Sequence, residues 1–195
     1  MIKSELRKIY LAKRSALTAE QRAAASRSLA KHFFASVPLD RIHTLHCYLS
    51  IDRFNEIDTN PIIHCLWKNH PQVRIVVPRI DSSTDELESV LYTPDTELKN
   101  GSWLIPEPPE GEIVDPTSVD VVIVPLLCTD SSGHRVGYGK GYYDRFLART
   151  RPDCLKVGLS FFPPIERIED IHDGDVPIDR CITPDGLYRK GALAS

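Results

Sequence analysis

The sequence predicts an α/β fold, three α/β/α layers on a mostly parallel central sheet, in a single domain covering residues 1–195. Three observations carry this reading. Segments with apolar residues three or four apart alternate with short segments rich in β-branched residues, as when helices cross over between parallel strands. One such segment, "VDVVIVPLL" at 119–127, is apolar almost throughout, as expected of a strand covered on both faces. A chain of 195 residues suits one core rather than two. No internal repeat, low-complexity tract or linker divides it.

The elements follow in order. "SELRKIYLAKRSAL" places Leu6, Ile9, Tyr10, Lys13 and Leu17 on an amphipathic helical pattern. Thr18 and Gln21 form a capping box for a second helix, "AEQRAAASRSLAKHFF", which Pro38 closes. Residues 1–36 thus make a pair of locally basic helices. "RIHTLHCYLSI" alternates at Leu45, Cys47 and Leu49, a strand signal. A third helix in "NEIDTNPIIHCLWKNH" takes Asn60 as cap and Pro61 as its first residue, with Trp67 facing the core. "QVRIVVPRI" and "LESVLYTP" read as strands, and residues 93–118 as a long proline-rich loop. After the apolar strand come a glycine loop (133–144), a helix "YDRFLART" and a strand "LKVGLSF". A Pro- and Asp-rich tail holding "HDGDVPIDRCIT" completes the chain.

Composition narrows the functional classes. Apolar residues make up 42% and charged residues 26%, and the net charge of −3 supplies no global basic field for nucleic acid. The opening lacks a signal-peptide core, and no stretch approaches the roughly 18 apolar residues of a membrane span. The expectation is a cytoplasmic protein with neither nucleic-acid nor membrane partners, a monomer or weak homo-oligomer. Its five cysteines are odd in number, widely spaced and lack a CxxC pair, which argues for buried free thiols over disulfides or zinc.

The informative stretch is "GHRVGYGKGYYDRFLART", which holds four of the ten glycines within nine residues. Gly137, Gly139 and Gly141 remove Cβ atoms, so backbone N–H groups can approach phosphate oxygens. The following helix adds the positive end of its dipole, and Lys140 and Arg135 add full charges. The segment leaves the carboxyl end of a central strand, where open α/β sheets bind ligands. It matches neither the P-loop, since Gly141 stands where Ser or Thr belongs, nor GxGxxG, since Tyr142 stands at the last glycine. By pattern alone, a flexible surface turn and an anion cradle remain open.

"RVGYGKGYYDRFL", preceded by "VIVPLLCTDSSGH", resembles the signature of the 5-formyltetrahydrofolate cyclo-ligase (5,10-methenyltetrahydrofolate synthetase) family, with Val136 for the usual Leu. The likeness extends through "KSELRK", "YLSIDRFNEIDT", "GSWLIPEP" and "DVPIDRCIT", in the same order along the chain. The resemblance implies ATP- and Mg²⁺-dependent closure of 5-formyltetrahydrofolate to 5,10-methenyltetrahydrofolate, with ADP and phosphate released. In that family the formyl oxygen attacks the γ-phosphate to give an N5-iminium phosphate, and N10 then displaces phosphate. Such chemistry calls for positioning and charge neutralisation rather than a nucleophilic Ser or Cys.

Residue by residue, the resemblance implies that Lys3, Arg7 and the run Arg135, Val136, Gly137, Tyr138, Gly139, Lys140, Gly141, Tyr142 and Tyr143 contact ATP, with Lys140 and Arg135 catalytic. By spacing alone Lys3 and Arg7 are a solvated basic face, and Lys8, Lys13 and Arg14 keep that reading. Asp144 by itself merely suits a helix N-terminus; the resemblance makes it a Mg²⁺ ligand together with Asp175. Asp173 and Asp179 are alternatives to Asp175 in the same acidic segment. Leu49, Glu56 and Trp103 are implied to bind folate, Glu56 by accepting bonds from the pterin edge and Trp103 by walling the pocket. Tyr138, at a variable family position, and Tyr142 face the same substrate. Two other classes stay consistent with the loop: a non-catalytic ATP- or folate-binding regulator, and an ATP-dependent ligase or kinase acting on another small carboxylate or amide.

Overall fold

The computed structural model describes residues 1–101 and 105–191. An eight-stranded sheet forms the centre, in the order β12-β11-β10-β7-β1-β2-β3-β6. Its members are β1 (Thr44–Cys47), β2 (Arg74–Asp81), β3 (Glu86–Leu91), β6 (Ile113–Val114), β7 (Val121–Pro125), β10 (Leu155–Leu159), β11 (Arg180–Thr183) and β12 (Gly186–Arg189). The five strands β11, β10, β7, β1 and β2 run parallel; β12 and β3 flank them antiparallel, and β6 pairs antiparallel with β3 at the outer edge. Two short ribbons, β4–β5 (Lys99–Asn100 with Pro106–Glu107) and β8–β9 (Cys128–Thr129 with Arg135–Val136), lie outside it.

Alternate residues of the parallel strands build the core on both faces. Leu45, Cys47, Ile75, Val77, Ile123, Val157 and Ile182 pack against Phe33 of α2 (Ala19–Ser36) and Leu66 of α3 (Asn60–Asn69). On the opposite face Val122, Val124 and Cys181 meet Phe146 and Leu147 of α4 (Tyr142–Leu147). Burial on both sides explains the unbroken apolar run at 121–124. The remaining helix, α1 (Lys3–Ser15), joins neither layer. Its Leu6 and Tyr10 pack on Leu127 and on Cys128 and Val136 of the β8–β9 ribbon.

Several sequence expectations change in detail. The Thr18–Gln21 capping box forms as read, with Gln21 N donating to Thr18 Oγ1 (3.2 Å) and Thr18 N to Gln21 Oε1 (2.8 Å). Asn60 begins α3 instead of capping it, because Asp58 accepts its backbone N–H (3.0 Å). The helix read at 143–150 is only six residues long, which weakens the dipole argument for the loop before it. The tail contributes the sheet strands β11 and β12. All five cysteines are free, and four are buried; Cys65 is half-buried on α3.

In chain order the parallel strands stand 2-1-3-4-5, so the winding reverses between β1 and β7. Ligand crevices open at that reversal, beyond the carboxyl ends of the two strands. There the loop 48–58 leaves β1 and the glycine loop follows β7. The register is set by Leu45 opposite Val121 and Cys47 opposite Ile123, which fixes both loop origins side by side.

Candidate active site

A cavity of about 600 Å³ occupies the reversal point. α1 contributes Lys3 and Arg7 to its wall, the loop after β1 contributes Leu49 and Glu56, and the tail contributes Asp175. Residues 137–144 and Arg135 complete the wall on the glycine-loop side. Sequence-predicted residues from four distant segments therefore meet in one place. Val136 does not join them. It is fully buried beneath the loop against α1, because its strand position turns its side chain into the core. Trp103 lies outside the described residues. A second cavity, of about 400 Å³ between Thr129 and Lys190, holds none of the predicted residues.

The loop's glycines have separate causes. Gly139 (φ +90°) and Gly141 (φ +71°) adopt left-handed backbone that side chains disfavour. Gly137 does not: its φ is ordinary and an added Cβ would meet nothing within 4 Å. Nothing in the fold asks for glycine there, so the empty space fits an external group such as phosphate approaching the backbone. Arg7 Nε donates to the Gly137 carbonyl (2.8 Å), binding α1 to this loop. Lys140 is exposed at the cavity wall.

Arg135 is buried, and its guanidinium is occupied within the protein. Its Nη1 donates to the Val176 carbonyl and its Nη2 to Asp144 Oδ1 (2.8 Å). Burial lowers its pKa from the ordinary value, while Asp144 beside it acts in the opposite direction. Asp144 Oδ1 also accepts from Val176 N (3.1 Å). Also on the cavity wall, Lys3 Nζ pairs with Asp175 Oδ2, and Lys3 N donates to Asp170 Oδ1 (2.6 Å). Burial would raise the Asp175 carboxyl, but the His172 N–H and the Lys3 ammonium outweigh it and hold it low. The bonds to Asp144 run through its Oδ1 and those to Asp175 through its Oδ2. No cluster of three or more His, Cys, Asp or Glu suited to a metal occurs among the described residues. Two carboxylates nevertheless fit Mg²⁺, which takes one or two from protein and the rest from phosphate and water.

Glu56, the residue expected to bind folate, lines the cavity from the loop after β1. Ile51 N donates to Glu56 Oε2 (2.9 Å), and the Tyr138 hydroxyl donates to Oε1. Burial raises the Glu56 carboxyl, partly offset by these two donors and by Arg14. Tyr142, expected to face substrate, lines the cavity and turns its hydroxyl to Asp85 Oδ1 (2.7 Å) at the β2–β3 turn.

Sequence reasoning missed three residues here. Arg14, read as solvated, is buried and donates to Leu126 O (2.8 Å) and the Tyr138 hydroxyl (2.7 Å). The 3-7-10-14 spacing, which places it on the Lys3–Arg7 face, was the available signal. Glu107, within the quoted "GSWLIPEP", is a buried carboxylate on the cavity wall that burial shifts upward. His46 lies wholly buried under Tyr143, bonded to Ser89 Oγ (2.9 Å) and near the Tyr143 hydroxyl (3.4 Å).

Comparison with known proteins places this geometry. The model of the 5-formyltetrahydrofolate cyclo-ligase family matches residues 1–184. The 5-formyltetrahydrofolate cyclo-ligase of Escherichia coli is 30% identical over 183 residues, 90% of this chain and 97% of that protein. The Haemophilus influenzae enzyme of the same name is 30% identical over 182 residues, 91% of this chain and 92% of that one. Among solved structures, Aquifex aeolicus 5,10-methenyltetrahydrofolate synthetase superposes with a TM-score of 0.82 at 32% identity, covering 100% of this chain and 96% of that one. The Mycoplasma pneumoniae synthetase gives 0.75 at 27%, covering 94% and 99%.

Proposed function

This chain belongs to the 5-formyltetrahydrofolate cyclo-ligase family, and on that premise we propose how its own residues perform ATP-dependent closure of 5-formyltetrahydrofolate. One observation carries the reading. A carboxylate suited to a pterin edge and a glycine loop suited to a triphosphate face one cavity from the ends of neighbouring strands β1 and β7.

The amides of residues 137–143 and the Lys140 ammonium hold the triphosphate of ATP, with Lys3 and Arg7 extending the cationic wall. Leu49 and Glu56 hold the pterin so that the 5-formyl oxygen points at the γ-phosphorus, with Trp103 and Tyr142 as further folate contacts. The formyl oxygen displaces ADP and becomes an iminium phosphate. N10 then bonds to the activated carbon and gives up its proton to water, the C–O bond breaks, and inorganic phosphate departs carrying that oxygen. Phosphorylation is the necessary step, since an amide-like oxygen does not otherwise leave. Lys140 supplies charge where it develops. Arg135 acts through Asp144, keeping that carboxylate placed at the loop.

Asp144 and Asp175 would hold Mg²⁺, which would supply positive charge to offset that of the triphosphate. Residues 1–195 work as one cyclo-ligase domain in the cytoplasm, as a monomer or weak homo-oligomer whose partners are small molecules. No helix among the described residues is long and apolar enough to cross a membrane.

The test is turnover. Protein mixed with ATP, Mg²⁺ and 5-formyltetrahydrofolate should develop the near-ultraviolet absorbance of methenyltetrahydrofolate. Folded protein that binds ATP without producing that absorbance would instead be a non-catalytic binder.

A further inference from the structure

We propose that Arg14 and Tyr138 are positioning residues for the folate half of the site: Arg14 fixes the Tyr138 hydroxyl, and Tyr138 fixes the Glu56 carboxylate and links its placement to the nucleotide loop. The inference rests on Glu56 being the carboxylate that grips the pterin.

Arg14 is only 5% exposed. A buried guanidinium is costly unless its donors are used, so its placement needs a cause. Its Nη2 donates to Leu126 O (2.8 Å), just past β7. Its Nη1 donates to the Tyr138 hydroxyl (2.7 Å) and lies 3.4 Å from Phe54 O. Arg14 therefore touches both loops that leave the winding reversal, and among the described residues it has no carboxylate of its own in direct contact. The nearest is reached through Tyr138.

A phenol has one proton to give. Because the Tyr138 oxygen accepts from Arg14, its proton is directed to Glu56 Oε1, and the chain Arg14, Tyr138, Glu56 has a fixed sense. With Ile51 N on the other oxygen, the carboxylate cannot rotate. A carboxylate accepts about four hydrogen bonds, so lone pairs remain for the pterin amino and ring N–H groups. The Tyr138 ring is braced by Phe54 (centroids 5.8 Å apart) and by the Arg14 guanidinium at the same distance. Along the backbone, however, Tyr138 stands between Gly137 and Gly139, two residues without side chains of their own. Its direction follows whatever the loop amides bind. Filling the loop with phosphate therefore acts on Tyr138, and through it on Glu56; by linkage the effect is reciprocal.

The experiment measures 5-formyltetrahydrofolate binding to the full chain by calorimetry, with and without a non-hydrolysable ATP analogue and Mg²⁺. In the wild type the analogue should tighten folate binding about fivefold, within the usual range of coupling between sites. Tyr138→Phe, which keeps the ring, should bind folate about tenfold more weakly, the loss of one charge-assisted bond. Its folate affinity should no longer respond to the analogue. Arg14→Lys, which cannot reach both acceptors, should fall between the two. Wild-type folate affinity in Tyr138→Phe, coupling retained in that variant, or no coupling in the wild type would each overturn the inference. A wild type that fails to bind or turn over 5-formyltetrahydrofolate would instead sink the functional reading beneath it.

Discussion

Lys140 and Glu56 line the same cavity from different loops and are proposed to serve different substrates, so their loss should separate the two. Lys140→Ala should lower kcat/KM for ATP by about 10² to 10³, the usual size for a removed donor to developing charge. Glu56→Gln, which keeps the shape but loses the anion, should chiefly raise the folate KM. Steady-state kinetics against each substrate checks both; a Glu56→Gln effect confined to ATP would contradict its assignment. Both residues were visible in the sequence because their motifs are local. Arg14 was not. Its partners lie 112 and 124 residues away, and helical periodicity can show which face a residue occupies but not what later covers it.

The glycine loop and its ribbon behave as one element whose glycines answer to different demands. Gly133 (φ +84°) donates its N–H to Asp130 O (3.0 Å), and an added Cβ would sit 2.3 Å from Ile178 O. Gly133→Ala should cost at least about 2 kcal/mol of stability through strain and backbone collision. Gly137→Ala should leave stability within about 0.5 kcal/mol, since the methyl meets no protein atom. Its ATP KM should nevertheless rise steeply. Chemical denaturation and ATP kinetics on the two variants test the division; unimpaired ATP use by Gly137→Ala would remove phosphate from that space. The sequence showed the clustering of these glycines, but not which φ values or neighbours each one meets. Likewise β11 and β12 were hidden in a Pro- and Asp-rich tail. A strand of four residues is defined by its neighbour in the sheet, and "RCIT" gains its identity only beside β10.

At the scale of the molecule, the central sheet carries a buried base. His46 sits on β1 with no exposure, ringed by Ser89, Tyr143 and Phe146, and burial lowers its pKa to about 3. The unfolded chain takes up that proton near pH 6.5, so the neutral ring's stabilisation is complete above that value and is lost as pH falls toward 3. His46→Gln should be less stable at pH 7, and its deficit should shrink below pH 6.5 by up to about 1.4 kcal/mol per pH unit. Urea midpoints from pH 7 to 4.5 measure this; a constant deficit would mean that His46 does not govern the acid limb. The alternation of helices and strands made the layered architecture legible, whereas strand order depends on which edges meet in space. That order has a further result. Because 48–58 and 133–144 are separate inserts on adjacent staves of one frame, the acceptor-reading half can be randomised in a laboratory search while the energy-supplying half is inherited intact. The seam such a search must respect or redesign runs through Tyr138, which meets Glu56 by its phenol and Phe54 by its ring.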